Sequence, residues 1–151
     1  HFEGVVDVVE RLLNIINPKY MFLGEKDFQQ LFLINKYVKN KFKVKIIPCK
    51  TIRDKNYVAF SSRNKLLSKN QFKIAGKIAK KLKKFKKKIN IKDCLTKKIN
   101  KFKNYLKNTY EIKIDYLEVR NEKDLSIYKN NSKFRLFIAY YIGNIRLIDN
   151  F

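Results

Sequence analysis

At 151 residues, 45% hydrophobic and 14% aromatic, the chain can bury a core in one ordinary domain or two small ones, and wholesale disorder is excluded. Its two cysteines, Cys49 and Cys94, lie far apart without a partner motif, which points to a reducing, cytoplasmic setting, and no apolar run approaches the length of a membrane span. The formal charge of +23 comes mostly from lysine, 30 Lys against 6 Arg, and is spread over both parts of the chain, +7 in residues 1–66 and +16 in residues 67–151. A dedicated reader of phosphates and bases would use more arginine for planar, two-bond contacts, so nucleic acid is not expected as the main partner.

Val5, Val8, Val9, Leu12, Leu13, Ile15 and Ile16 recur at helical spacing up to Asn17-Pro18, where proline ends the helix. Glu3, Asp7 and Glu10 stand where a signal peptide would be basic and then apolar, and a helix so close to a first residue that is not Met predicts a piece of a longer chain. Tyr20-Met21-Phe22-Leu23 reads as a buried parallel strand, followed at once by Gly24-Glu25-Lys26-Asp27 and a helix with Phe28, Leu31, Phe32 and Val38 on one face. Val44 to Pro48 reads as the next strand. Helix, strand, helix, strand in this order predicts an α/β layer with parallel strands.

Past residue 66 the pattern changes. Ser68 with Gln71 forms a capping-box signature ahead of a lysine-rich helix with Phe72, Ala75, Ala79, Leu82, Phe85 and Ile89 on one face. Leu95, Ile99, Phe102 and Leu106 mark a second helix. Segments from Ile112 to Val119, Phe134 to Tyr141 and Ile145 to Ile148, the last two joined by Gly143-Asn144, predict antiparallel strands. The expected domains are therefore residues 1–66, part of an α/β nucleotide-binding layer, and residues 67–151, a small α+β unit. The 16 lysines and single acid between residues 69 and 107 read as two solvated helix faces, or else as an electrostatic funnel for an anion.

Several chemistries drop out. The one His stands at the terminus, the cysteines are isolated, and four glycines build no phosphate loop of the Walker or dinucleotide type. Two segments remain. Beyond the carboxyl end of a parallel strand, Gly24 permits close backbone approach, Lys26 offers a positive charge and Asp27 can accept from hydroxyls, unless Asp27 is only a helix cap. Ser61-Ser62-Arg63-Asn64 offers two hydroxyls and a guanidinium to phosphate oxygens, or makes a turn plus a cap. Between Leu12 and Val119 only Arg53 and Arg63 break the run of lysines, and both bracket this loop, as if planar two-bond contacts were needed there.

These segments carry a resemblance. Gly24-Glu25-Lys26-Asp27-Phe28-Gln29-Gln30 and Phe60-Ser61-Ser62-Arg63-Asn64 resemble the two later signature motifs of the pantothenate synthetase (pantoate–β-alanine ligase) family. His1-Phe2-Glu3-Gly4-Val5-Val6 looks like the family's His-Phe-x-Gly-Val segment, and Arg146-Leu147-Ile148-Asp149-Asn150 like its chain-terminal signature. The four motifs run collinearly over essentially the whole chain.

The resemblance implies the C-terminal part of a Rossmann-like class I synthetase or nucleotidyl-transferase sheet followed by a small α+β domain, in a cytoplasmic homodimer. It implies a two-step ligation: pantoate attacks the α-phosphate of ATP, with magnesium, giving pantoyl adenylate and pyrophosphate, and the β-alanine amine then displaces AMP. Carried over residue by residue, it implies that Gly24, Glu25 and Asp27 belong to the ATP site, with Gly24 and Asp27 at the ribose. Lys26 would meet the phosphates, Gln30 pantoate, and Ile52 and Phe60 the adenine. Ser61, Ser62 and Arg63 would clamp the phosphates, so that Lys26, Ser61, Ser62 and Arg63 carry the catalysis.

The family's His-x-Gly-His motif, its other pantoate-binding Gln and its magnesium-linked acids would lie upstream of His1, so no metal ligand is expected here and the isolated chain is expected to bind ATP weakly and not turn over. Asn56-Tyr57 stands where the family usually has Asp-Gly, which is expected to stiffen or reshape the loop, and Val58-Ala59-Phe60 is bulkier than the usual Leu-Ala-Met. The competing readings are a basic, non-catalytic RNA- or anion-binding module, and a decayed remnant of the ligase.

Overall fold

A computed structural model describes residues 2–89, 94–128 and 133–151, and divides the chain into two compact units, residues 1–51 and 52–151.

The first unit is α1 (Phe2–Ile16), β1 (Tyr20–Gly24), a 3-10 turn over Glu25–Asp27, α2 (Phe28–Lys41) and β2 (Lys45–Cys49). β1 and β2 pair in parallel, Tyr20 opposite Lys45 and Gly24 opposite Cys49, as the alternation of helices and strands predicts. Leu13, Ile34 and Val38 form the buried centre, with Met21, Leu23 and Ile46 of the strands packed against it. The alternate side chains of β1 find no such cover: Tyr20 is 56% and Phe22 67% exposed. Parallel sheets are ordinarily covered on both faces. Here α1 and α2 line one.

The second unit opens with a turn at residues 53–59 and a 3-10 segment, Ser62–Leu66. α3 (Lys69–Lys88) and α4 (Leu95–Tyr110) follow, and then an antiparallel sheet in the order β3 (Lys113–Asn121), β4 (Phe134–Ile142), β5 (Ile145–Asn150). The Ser68–Gln71 capping box forms in full, each side chain bonding the other's backbone N–H. Ala75, Ile78 and Leu82 of α3, Leu106 of α4, and Leu117, Val119, Leu136 and Ile138 of the sheet build the core. Residues 52–66 group by compactness with this second unit. Among the described residues no helix is long and apolar enough to cross a membrane.

Candidate functional site

The Gly24–Asp27 segment leaves the carboxyl end of β1 and enters α2 through a single 3-10 turn. Asp27 occupies the N-cap position of α2, but its side chain makes no capping hydrogen bond. The carboxylate is instead 3.6 Å from Lys26 Nζ, and Lys26 is largely covered, with 18% of its side chain exposed. Asp27 is thus not a cap. Gly24 has φ −73° and ψ 132°, which any residue adopts, and a Cβ built there would meet nothing within 4 Å. Neither conformation nor packing within the chain calls for glycine at this position. Glu25 and Gln30 are half-buried, Gln30 in the first turn of α2.

In the second unit, the loop before Ser61 is knotted by Asp54. Its carboxylate accepts from the backbone N–H of Asn56 (3.0 Å) and of Val58 (2.8 Å) and from Asn56 Nδ2 (3.1 Å). This is an Asx-type turn. The Phe60 N–H donates to the Ile52 carbonyl at 3.1 Å, so the two residues that the resemblance assigns to adenine stand side by side, both exposed. Ser61 then caps the 3-10 segment, its Oγ accepting from the Arg63 N–H at 3.3 Å, and Asn64 Nδ2 ties the segment to the Ala59 carbonyl at 2.9 Å. The turn-plus-cap reading of this loop holds for its backbone. Ser62 and Arg63 nevertheless remain exposed, and the Arg63 guanidinium has no partner among the described residues.

Arg53 answers differently. Its guanidinium does make a planar, two-bond contact, but with this chain's own Asp149: Nη1 at 2.7 Å and Nη2 at 2.8 Å from the two carboxylate oxygens. It also donates to the carbonyls of Tyr57 (3.1 Å) and Asn150 (3.2 Å), and lies over the rings of Tyr57 and Phe151 at 4.8 and 4.5 Å. Sequence reasoning did not foresee this role for Arg53 and Asp149, since their positions are 96 apart. Asp149 and Asn150 of the terminal signature therefore have a physical task, holding Arg53, at the base of the loop that leads to Ser61–Arg63, against β5.

The Asn56-Tyr57 departure has a structural consequence as well. Tyr57 adopts φ +76°, in the left-handed region that favours glycine. Its ring offsets that cost by stacking with Arg53 and lying 4.3 Å under Lys83 Nζ. Gly76 of α3 admits the same turn, because a Cβ there would fall 2.6 Å from the Asn56 carbonyl oxygen. Tyr57→Ala is expected to be less stable than Tyr57→Gly by about 1 kcal/mol, since both lose the ring but only glycine relieves the backbone. Denaturant midpoints check this, and an alanine variant as stable as the glycine variant would contradict it.

A parallel pair delivering Gly24–Asp27 into a helix, and a serine–arginine loop pinned to an antiparallel sheet, define a mixed α/β protein. The chain belongs to the pantoate–β-alanine ligase family, whose model matches residues 1–151. It is 39% identical over 158 residues to a pantothenate synthetase of Flavobacterium psychrophilum, covering 99% of this chain and 54% of that protein. It is 40% identical over 161 residues to one from Clostridium botulinum, covering 100% of this chain and 55% of that protein. The crystal structure of pantothenate synthetase from Thermus thermophilus matches with a TM-score of 0.88 at 29% identity, over 100% of this chain and 55% of that one. A Francisella tularensis pantoate-β-alanine ligase, complexed with β-γ ATP and β-alanine, matches with a TM-score of 0.74 at 36% identity, over 100% and 50%. The chain spans about half the length of these relatives. The expected fold class is thereby established.

Proposed function

We propose that the chain supplies the later ATP-handling motifs of a ligase that condenses pantoate with β-alanine through a pantoyl adenylate, releasing AMP and pyrophosphate. The observation that carries this reading is the family match along the entire chain, with the Ser61–Arg63 loop held in shape from behind while Ser62 and Arg63 stay exposed. Ser61, Ser62 and Arg63 hold the phosphates of ATP, and Lys26 adds its charge to them. Gly24 and Asp27 meet the ribose, Glu25 also belongs to the ATP site, Ile52 and Phe60 receive adenine, and Gln30 holds pantoate. The protein's work in the first step is electrostatic, stabilising charge as the carboxylate displaces pyrophosphate.

Magnesium is expected from the family resemblance, but no three His, Cys, Asp or Glu side chains gather to hold a metal among the described residues. The remaining ligase residues come from an upstream half, which covers the bare β1 face at Tyr20 and Phe22 and completes a cytoplasmic homodimer. In this reading residues 52–66 serve the nucleotide-binding domain and residues 67–151 form the small C-terminal one. Retention of both loops, with their backbone scaffolds intact, favours the ligase over a decayed remnant.

Gly24 offers a direct test. With the upstream half supplied, Gly24→Ala is expected to leave the thermal midpoint unchanged, because its Cβ meets nothing, and to raise the KM for ATP at least tenfold by blocking close approach. An alanine variant with unaltered ATP kinetics would remove Gly24 from the site. Failure of the unmodified chain to form pantothenate from pantoate, β-alanine and ATP in that assembly would overturn the ligase reading.

A further inference from the structure

Ala59, just before the Ser61–Arg63 loop, is firmly held. It is 6% exposed and pairs across an antiparallel bridge with Arg53, which Asp149 clamps. Asn64, just after the loop, is half-buried and donates from Nδ2 to the Ala59 carbonyl at 2.9 Å. That bond closes a ring around Phe60, Ser61, Ser62 and Arg63. The Asn64 N–H also donates to the Ser61 carbonyl at 3.0 Å, and the Asn64 carbonyl accepts at 3.3 Å from Leu67, which packs on the core of the second unit. Within the ring Phe60 is 61% exposed, and Ser62 and Arg63 are exposed too. A segment with so few buried contacts opens readily unless it is tied down, and the Asn64 side chain ties it to a buried strand end. Ser61 Oγ accepts from the Arg63 N–H, which leaves the hydroxyl hydrogen free to be donated outward.

We propose that, given the ligase reading above, Asn64 is a positioning residue of the adenylation step, acting through Arg63 and the two serines and not by touching ATP. Donors aimed at developing charge help only when they are in place beforehand, and a misplacement of about 1 Å can cost about 10²-fold in rate. The tie needs an amide in particular. A carbonyl can be met only by a donor, so a carboxylate of the same shape would push the loop away from Ala59 where the amide holds it.

The test is a double-mutant cycle on the chain assembled with the upstream half, following pantoate-dependent exchange of labelled pyrophosphate into ATP. Asn64→Ala is expected to slow exchange by about 10²-fold, and Asn64→Asp at least as much. In a chain already carrying Arg63→Ala, Asn64→Ala should slow it by less than about tenfold, because the group it aims is gone. The thermal midpoint should move by no more than about 5 °C, the scale of one net hydrogen bond in a unit of this size. Equal losses in both backgrounds would make Asn64 a ligand contact of its own, and full exchange with Asn64→Asp would make it a space filler; either overturns the proposal. An unmodified assembly without exchange would instead overturn the ligase reading. The tie is then decided by amide hydrogen exchange on the unmodified chain and its Asn64→Ala variant. The N–H groups of positions 63 and 64 should exchange at least about fivefold faster in the variant while those of α3 keep their rates, and unchanged rates at 63 and 64 would overturn it.

Discussion

Asp149→Ala is expected to destabilise the second unit by about 3–5 kcal/mol, the usual cost of removing one partner from a buried ion pair. The pair is well covered, with side-chain exposures of 12% for Arg53 and 9% for Asp149. Asp149 satisfies both ends of the guanidinium fork and also accepts from the Asn150 N–H at 2.8 Å. Without it, Arg53 is left charged between two aromatic rings and two carbonyls, too well covered for solvent to replace the lost partner fully. Combining Arg53→Met with Asp149→Leu should cost less than the sum of the single losses, because no charge is then stranded. Denaturant unfolding of the four proteins checks this. A loss below about 1 kcal/mol for Asp149→Ala would place the pair among ordinary surface bridges.

Arg63→Ala is expected to do the opposite, sparing stability and removing chemistry. The guanidinium is exposed and bonded to nothing among the described residues, so the unfolding midpoint should move by no more than about 0.5 kcal/mol. In the assembled ligase, adenylation should fall by about 10²–10³-fold, the effect of deleting one preorganised donor aimed at developing charge. Arg63→Lys should recover only part, since a point charge replaces a fork. The two arginines that interrupt the lysine run thus separate into one that holds the loop and one that the loop offers to a ligand.

Features written in local sequence were legible. Periodicity placed the four α-helices of the described residues, the Ser68–Gln71 box marked the start of α3, and the alternation of elements implied the parallel pair. Asp27 was readable either as an acceptor for ligand hydroxyls or as a helix cap, and its carboxylate makes no cap but turns to Lys26. Nothing local reports that Arg53 will find Asp149 across the second unit, whereas the left-handed backbone at Tyr57 was signalled by the glycine that the family usually carries there. The Asp-x-Asn pattern at Asp54–Asn56 was an available signal for the Asx turn that shapes the loop. The bare face of β1 was foreshadowed only by continuous apolar residues, which look the same whether covered or not.

The most direct test is pantoate-dependent exchange of labelled pyrophosphate into ATP, measured on this chain assembled with the upstream half of a ligase, beside its Arg63→Ala variant. Exchange that requires pantoate and collapses by at least about a hundredfold in the variant is the predicted result. A folded, soluble assembly that shows no exchange, or exchange indifferent to Arg63, would contradict the assignment of this chain to the adenylation step.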